Sequence, residues 1–380
     1  MRVAVVGGGI VGLGIARAGA AAGLDTVVLE RAALGGVATR VSGAIVRTHY
    51  DNPAEAVLAL EGLRSFERFE EDIGGDAGFR RTGFATIPGP DEVASGDFAR
   101  RVEMLRRTGI DTELVDGAGL SRLFPAMSTD GVTAAAIEPR SGYADPSRTV
   151  DAVAAAARRA GATMREGVEA RSLLADGDRV AGVLTDEGPV RADAVVLACG
   201  AWAVRLAAGV GLDLPIRPTA AVIARFAHAG GGAFPTVIDV PNGVYFRQDG
   251  PRHAIGGRRD WADRPITAPD GPLPEVSAAF ADDVRSRVAR RLAAAGGWRG
   301  DGGRSGPLDM TPDARPLLGP SGVEGLWLSV GWSGTGFKTA VPAGEALVRW
   351  MVDGRPARAE YADLRPDRPQ AHGSGPRTPH

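Results

Sequence analysis

Lysine is almost missing from this chain. Of its 44 basic residues all but one are arginine, and the exception is Lys338. Cysteine is equally scarce: a single residue, Cys199, excludes an internal disulfide framework and a cysteine-rich metal cluster. The five histidines show no paired spacing, and two of them, His372 and His380, fall in the terminal tail, so no metal site is expected. No apolar run is long enough to span a bilayer. No charged and apolar leader precedes the strand that begins at Arg2, so no signal peptide is visible. The net charge of −2 lacks the basic excess that nucleic acid or an anionic membrane surface selects, because 46 acidic residues offset the arginines. These absences leave a cytoplasmic protein acting on small molecules as the expectation.

What is present is ordinary in bulk, with 44% hydrophobic and 24% charged residues in 380, enough for one large α/β unit or two interleaved domains. Arg2 to Val6 reads as a short β-branched strand, followed by glycines and an alanine-rich helical pattern over 10–22. Gly23 stops that helix, and 26–30 is a second strand; strand, helix and strand in thirty residues predict a parallel βαβ unit. Helical periodicity returns at 53–72, 99–108 and 146–160, with strands at 182–185 and 192–198. From 216 to 257 short alternating runs with turn residues predict antiparallel sheet. A charged helix at 277–295 follows, then a strand at 326–330, a glycine loop and a helix to about 352. The tail 366–380 is rich in Pro, Gly and polar residues and is expected to be disordered. The predicted fold class is α/β (α+β, two-domain). A Rossmann-type domain is assembled from 1–80, 146–215 and 306–365, beside an antiparallel-sheet substrate domain from 81–145 and 216–305.

Gly7-Gly-Gly9-Ile10-Val11-Gly12 matches G-x-G-x-x-G between strand and helix. Gly7 permits the tight turn, Gly9 lets backbone approach a pyrophosphate, and Gly12 allows close helix–strand packing. The helix N-terminus then offers unpaired N–H groups and a positive dipole end. Glu30, ending the second strand, is placed to accept from ribose hydroxyls, and an acid there disfavours a 2′-phosphate. The fingerprint alone leaves NAD and FAD both open.

Two later segments, Val195-Val-Leu-Ala-Cys199-Gly200-Ala-Trp202 and the strand leading into Gly331-Trp-Ser-Gly334-Thr-Gly336-Phe337-Lys338, resemble the pattern of the D-amino acid oxidase superfamily of FAD enzymes. Within it the chain most resembles the sarcosine oxidases, both the monomeric enzymes and the β subunit of the heterotetrameric ones. The likeness runs to about Pro366 and is most specific at Ile45-Val-Arg47-Thr-His-Tyr50, Val240-Pro-Asn-Gly-Val-Tyr245-Phe246, Asp309-Met-Thr-Pro-Asp-Ala-Arg-Pro316 and the glycine loop.

The resemblance implies FAD as cofactor, touched by Gly7, Gly9, Ile10, Val11, Gly12, Glu30, Arg31, Val168, Gly200, Trp202, Gly334, Gly336, Phe337 and Lys338. It implies that Arg47 and Lys338 bind a substrate carboxylate, a chemistry suited to arginine's planar fork and lysine's point charge. Backbone N–H groups of Gly334, Thr335 and Gly336 are expected to face the flavin's pyrimidine edge. His49 and Tyr50 are expected to edge the site, with Tyr245, Phe246 and Trp332 as an apolar wall.

Departures from the family are equally informative. Gly306 stands where the monomeric enzymes carry the flavin-linking cysteine, and the stretch at Asp145-Pro146 lacks the histidine that carries covalent FMN, so FAD is expected to be non-covalent. The region His253–Arg259, where a lysine would activate oxygen, offers only Arg258 and Arg259. The expected activity is oxidation of the C–N bond of a sarcosine-, glycine- or D-amino acid-like substrate to an imine, with oxygen or another electron acceptor. A 2-hydroxy acid substrate, a partner-dependent FAD subunit and a homo-oligomer stay open.

Overall fold

The computed structural model describes residues 1–230, 233–260 and 264–372, and two large sheets divide them. The first has six strands in the order Leu317–Pro320, Leu326–Val330, Ala194–Leu197, Arg2–Val6, Asp25–Glu30 and Thr163–Glu166. All neighbours are parallel except the first pair, which is antiparallel. Its central strands are apolar over Val3–Val6 and Ala194–Leu197 because helices cover one face and a small three-stranded sheet and a short helix cover the other, as a parallel sheet requires. The first helix (Ile10–Ala21) crosses the last (Gly336–Asp353) at backbone distance: a Cβ on Gly14 would lie 2.4 Å from the Ala340 carbonyl oxygen.

The second sheet has eight strands in the order Arg299–Met310, Arg217–Ala227, His253–Arg258, Val244–Gln248, Thr236–Asp239, Phe84–Ile87, Ala135–Glu138 and Glu113–Val115. Its neighbours are antiparallel except for one parallel pair, Thr236–Asp239 beside Phe84–Ile87. The helix Ala278–Ala289 seals one face with Val284 and Val288 against Phe226, Phe246 and Trp298. The architecture is the expected two-domain α/β one.

Several local expectations need correction. The helix expected over 53–72 is interrupted at Arg68, giving Pro53–Glu67 and a short turn, Phe69–Asp72. The helix expected over 277–295 ends at Ala289, and Ala293–Gly297 is a 3₁₀ turn. The sequence predicts a single strand between 165 and 190, yet Ala170–Asp176, Arg179–Thr185 and Gly188–Arg191 form a sheet of their own. The tail is ordered further than its composition suggests. Arg368 is buried, pairs with Asp313 at 2.8 Å and donates to the Pro316 carbonyl at 2.8 Å, while Ala371 is fully buried. The remainder, 373–380, lies outside the described residues.

Candidate active site

A cavity of about 520 Å³ lies where loops from the six-stranded sheet meet the eight-stranded one. Three groups of residues line it, each set by a different local device.

The first group is the glycine fingerprint and its surroundings. Gly7 sits at φ 108°, and a Cβ on Gly12 would fall 1.9 Å from the Gly7 carbonyl oxygen, so no side chain fits there. The first helix has no cap from its own N-cap residue; instead Thr39 accepts from the Ile10 N–H at 3.2 Å. Glu30 accepts from the backbone N–H of Gly8 at 2.7 Å and of Ala32 at 3.0 Å, fixing the loop. Arg31 lies 4.6 Å over the Trp202 ring. Asp270 ties the two together, 2.7 Å from Arg31 and accepting from Trp202 Nε1 at 2.8 Å. Arg31 also holds the Asp270 carboxyl below the usual carboxylate range. Sequence reasoning misses Asp270, because nothing in its stretch marks a partner 68 residues distant.

The second group is the glycine loop. Gly331, Ser333 and Gly334 take φ values of 71°, 50° and 82°, and left-handed backbone at a non-glycine such as Ser333 is characteristic of sites that require a particular shape. Asp309 braces the loop by accepting from the Gly331 N–H at 2.7 Å, and burial pushes its carboxyl up to about 6. Its sequence motif alone gives Asp309 no such role. The Thr335 N–H, expected to face a cofactor, turns inward to the Trp332 carbonyl at 2.8 Å.

The third group brings Arg47 and Lys338 together across 291 positions of sequence. Arg47 follows a two-residue strand, Ile45–Val46, paired with Gly142–Tyr143. Its guanidinium carbon lies 4.4 Å over the Tyr50 ring. Lys338, in the first turn of the last helix, donates to Tyr50 Oη at 2.8 Å and to the Thr335 carbonyl at 3.4 Å. All three are buried. Burial, then Arg47, holds Lys338 well below the ordinary lysine range, and burial pushes Tyr50 up. Two carboxylates back the cluster. Glu138 accepts from the Thr48 N–H at 2.8 Å and Ser141 Oγ at 2.7 Å, and burial raises it. Glu55 accepts from Asn52 Nδ2; burial, then Asp51, pushes it up to about 7.

Of the expected site residues, Gly7, Gly9, Ile10, Val11, Glu30, Arg31, Arg47, Gly200, Trp202, Tyr245, Gly334, Gly336, Phe337 and Lys338 line the cavity. Gly12, Val168, His49, Tyr50 and Arg259 are not among its lining residues. Val168 is a core residue whose N–H pairs with the Glu30 carbonyl at 2.9 Å, while its neighbours Glu169 and Ala170 reach the cavity. The His49 ring is fully buried, 5.5 Å from Phe98. Arg259 feels Arg47 electrostatically and is pushed down to about 10, chiefly by burial. Arg258 is held by Asp260 and Asp283. Of the residues expected to form the wall, Tyr245 and Trp332 line the cavity, but Phe246 points to the opposite face of its strand and joins the core.

The residues present fit FAD held without a covalent bond. The long cavity joins a dinucleotide fingerprint to a loop of left-handed backbone. Gly306, at the position of the family's linking cysteine, lines the cavity and carries no thiol to form such a bond. Asp145 is occupied as a helix cap, accepting from Ser147 and Arg148 N–H. Cys199 lines the cavity, but burial pushes its thiol up to about 12. Among the described residues no group of His, Cys, Asp or Glu could hold a metal ion, and no helix is long and apolar enough to cross a membrane.

The family described as FAD dependent oxidoreductase matches residues 2–350. The chain is 31% identical over 372 residues to 4-methylaminobutanoate oxidase (formaldehyde-forming) of Paenarthrobacter nicotinovorans, covering 94% of this chain and 44% of that protein. It is 28% identical to glycine oxidase of Pseudomonas aeruginosa, covering 93% and 95% respectively. The crystal structure of L-proline dehydrogenase from P. horikoshii superposes with a TM-score of 0.87 at 26% identity, covering 96% of each chain. The chain thus spans less than half of the first relative and nearly all of the second.

Proposed function

The chain belongs to the FAD-dependent oxidoreductases, and we propose that it oxidises the C–N bond of an amino acid or N-alkyl amino acid to an imine, which water then hydrolyses. The observation that carries this reading is the pair Arg47 and Lys338: two buried basic side chains from distant segments, both lining one cavity and both contacting Tyr50. Such a pair suits a carboxylate, with arginine's fork giving directional bonds and lysine a compact charge. Bound FAD supplies the acceptor for a hydride equivalent at its N5. The protein's part is to orient the substrate's C–H by its carboxylate, exclude water with Tyr245 and Trp332, and brace the glycine loop through Asp309. Orientation of this kind removes several kcal/mol from a barrier.

In this reading 1–80, 146–215 and 306–365 carry the cofactor, while 81–145 and 216–305 cover the substrate. The relatives are named for amines and amino acids, which favours an amine over a 2-hydroxy acid substrate. They include both oxidases and a dehydrogenase. Comparing peroxide release with dye reduction on one active substrate decides the electron acceptor.

The clamp is tested by Lys338→Met. The flavin-loaded variant is expected to bind acetate, read from the flavin absorption spectrum, at least tenfold more weakly, or about 1.4 kcal/mol. Unchanged affinity would remove Lys338 from the clamp.

A further inference from the structure

Binding of an amino acid by the carboxylate clamp leaves one chemical requirement unmet. An amino acid at neutral pH carries its nitrogen as an ammonium. Transfer of a hydride from the adjacent carbon needs the nitrogen lone pair to form the C=N bond, so one proton must first leave the nitrogen. A group beside the substrate carboxylate must accept it.

The titratable groups lining the cavity narrow the choice. Tyr245 is a phenol that burial pushes up to about 12, so it stays protonated. Cys199 is held in its thiol form in the same way. Asp309, at about 6, is a weak base towards an ammonium, and its carboxylate already accepts from the Gly331 N–H. Glu30 and Glu169 belong to the fingerprint group, away from the clamp, and Glu30 is committed to Gly8 and Ala32. Arg47 keeps its proton, as guanidinium groups in proteins do.

Lys338 remains. Its Nζ hydrogen-bonds two neutral oxygens, Tyr50 Oη and the Thr335 carbonyl, and among the described residues it makes no ion pair. The charged and titratable groups around it are Arg47, which opposes its proton, Glu55 and Glu138, which favour it, and Tyr50. The Arg47 guanidinium and Lys338 ammonium would flank one phenol ring, 4.4 and 5.5 Å from its centroid, and all three side chains are buried. Of two such neighbours only the lysine can relieve the repulsion by giving up a proton. The substrate carboxylate supplies the negative charge that reverses this balance.

Resting on the clamp reading, we propose that Lys338 stands in the substrate-free enzyme as a neutral amine and takes the ammonium proton of the incoming amino acid. The N–H bond of the substrate breaks, its electron pair stays on nitrogen as the lone pair, and the proton becomes the third hydrogen of the Lys338 ammonium. No oxidant is involved, and the total charge of the complex is unchanged. One proton transfer thus readies the substrate nitrogen for oxidation and charges the clamp against the carboxylate that remains. An arginine, permanently protonated, could hold the carboxylate but could not accept the proton. This gives a reason for a lysine here in a chain that uses arginine at every other basic position.

The test uses flavin-loaded enzyme and acetate, a carboxylate with no proton to give at pH 8. On binding acetate, Lys338 must draw its proton from the medium, and an indicator dye in weak buffer should report uptake approaching one proton per acetate bound. Lys338→Arg should bind acetate with no uptake. Glu55→Gln should retain the uptake, which separates the lysine from the other nearby group that titrates near neutrality. With an amino acid substrate followed by anaerobic flavin reduction, the Lys338→Arg variant should be slow at pH 7 and recover at high pH, where the free substrate already carries a neutral amine. The wild-type rate should lack that late rise. Wild-type binding of acetate without uptake overturns the proton-accepting role while leaving the clamp intact. Loss of uptake in Glu55→Gln with Lys338 in place assigns the proton to Glu55 and also overturns it. If acetate fails to perturb the flavin at any pH, or binds Lys338→Met as well as wild type, the clamp itself falls and the proposal with it.

Discussion

Single residues in this site are tuned chiefly by burial. Lys338, Tyr50, Glu55 and Glu138 are all shifted towards their neutral forms, and in each burial is the largest cause. For Glu55 this has a consequence for stability. Its carboxyl titrates at about 7 in the folded protein against 4.5 in the unfolded chain, so between those values the folded state holds the extra proton. Stability from this group is therefore full below pH 4.5 and is lost as pH rises through 7. The whole shift corresponds to roughly 3 kcal/mol. Glu55→Gln should flatten that part of the pH profile: the wild-type-minus-variant difference in denaturant unfolding free energy should fall between pH 5 and 8. A pH-independent difference would contradict the assignment. Residue chemistry of this kind is only partly legible in the sequence. Arg47 and Lys338 can be singled out by motif and by the rarity of lysine, whereas Glu55, Glu138 and Asp309 are ordinary acids until the fold buries them.

At the level of elements, the first strand–helix–strand unit is the readable part. The first strand, the fingerprint and the first helix fall where apolar periodicity and glycine place them, within a residue at the helix end. Failures have local causes. The sheet over 170–191 is built from strands with half-exposed polar faces and a hairpin at Asp176–Arg179, so the apolar alternation that signals a strand is weak. Phe246 leaves the expected wall because adjacent strand residues face opposite sides, and only the register shows which side is the cavity. The close crossing of the first and last helices is also not legible, since nothing in one helix names its partner. It depends on Gly14 and Gly344, each packed against the other helix's backbone. Gly14→Ala should lower the unfolding free energy by about 3 kcal/mol despite alanine's better helix propensity, because the methyl group meets backbone, which cannot turn aside. A denaturant midpoint equal to wild type would show that the crossing can spread at no cost.

Across the whole molecule, the cavity is a meeting of remote segments. Its lining runs from Val6 to Lys338, and two of these segments, at Arg31 and Trp202, are tied at the fingerprint group by Asp270 from outside the lining. The ion pair is partly exposed, with the Asp270 side chain 52% accessible, so its own energy is small. Its value lies in holding Arg31 stacked on Trp202. Asp270→Asn should weaken FAD binding by about three- to tenfold, measured by fluorescence on reconstituting apoprotein, with a smaller effect at high salt. Equal affinity at low salt would show the tie to be idle. Long-range contacts of this sort are what a single sequence withholds: 43 arginines give Asp270 too many equivalent partners to choose among.

The buried Arg368 gives the end of the chain a bearing on the cofactor loop. Arg368 grips Asp313 and the Arg315 carbonyl, and that same carbonyl accepts from Thr311 Oγ, whose backbone N–H in turn donates to Ser333 Oγ in the glycine loop. Clipping the protein at residue 365, the limit its composition suggests, would take the Arg368 guanidinium away from Asp313 and from the Arg315 carbonyl. For anyone placing an affinity tag or a fusion partner, the stretch to keep intact is 365–372. A junction inside it would be expected to loosen the pocket from behind while leaving every lining residue in place.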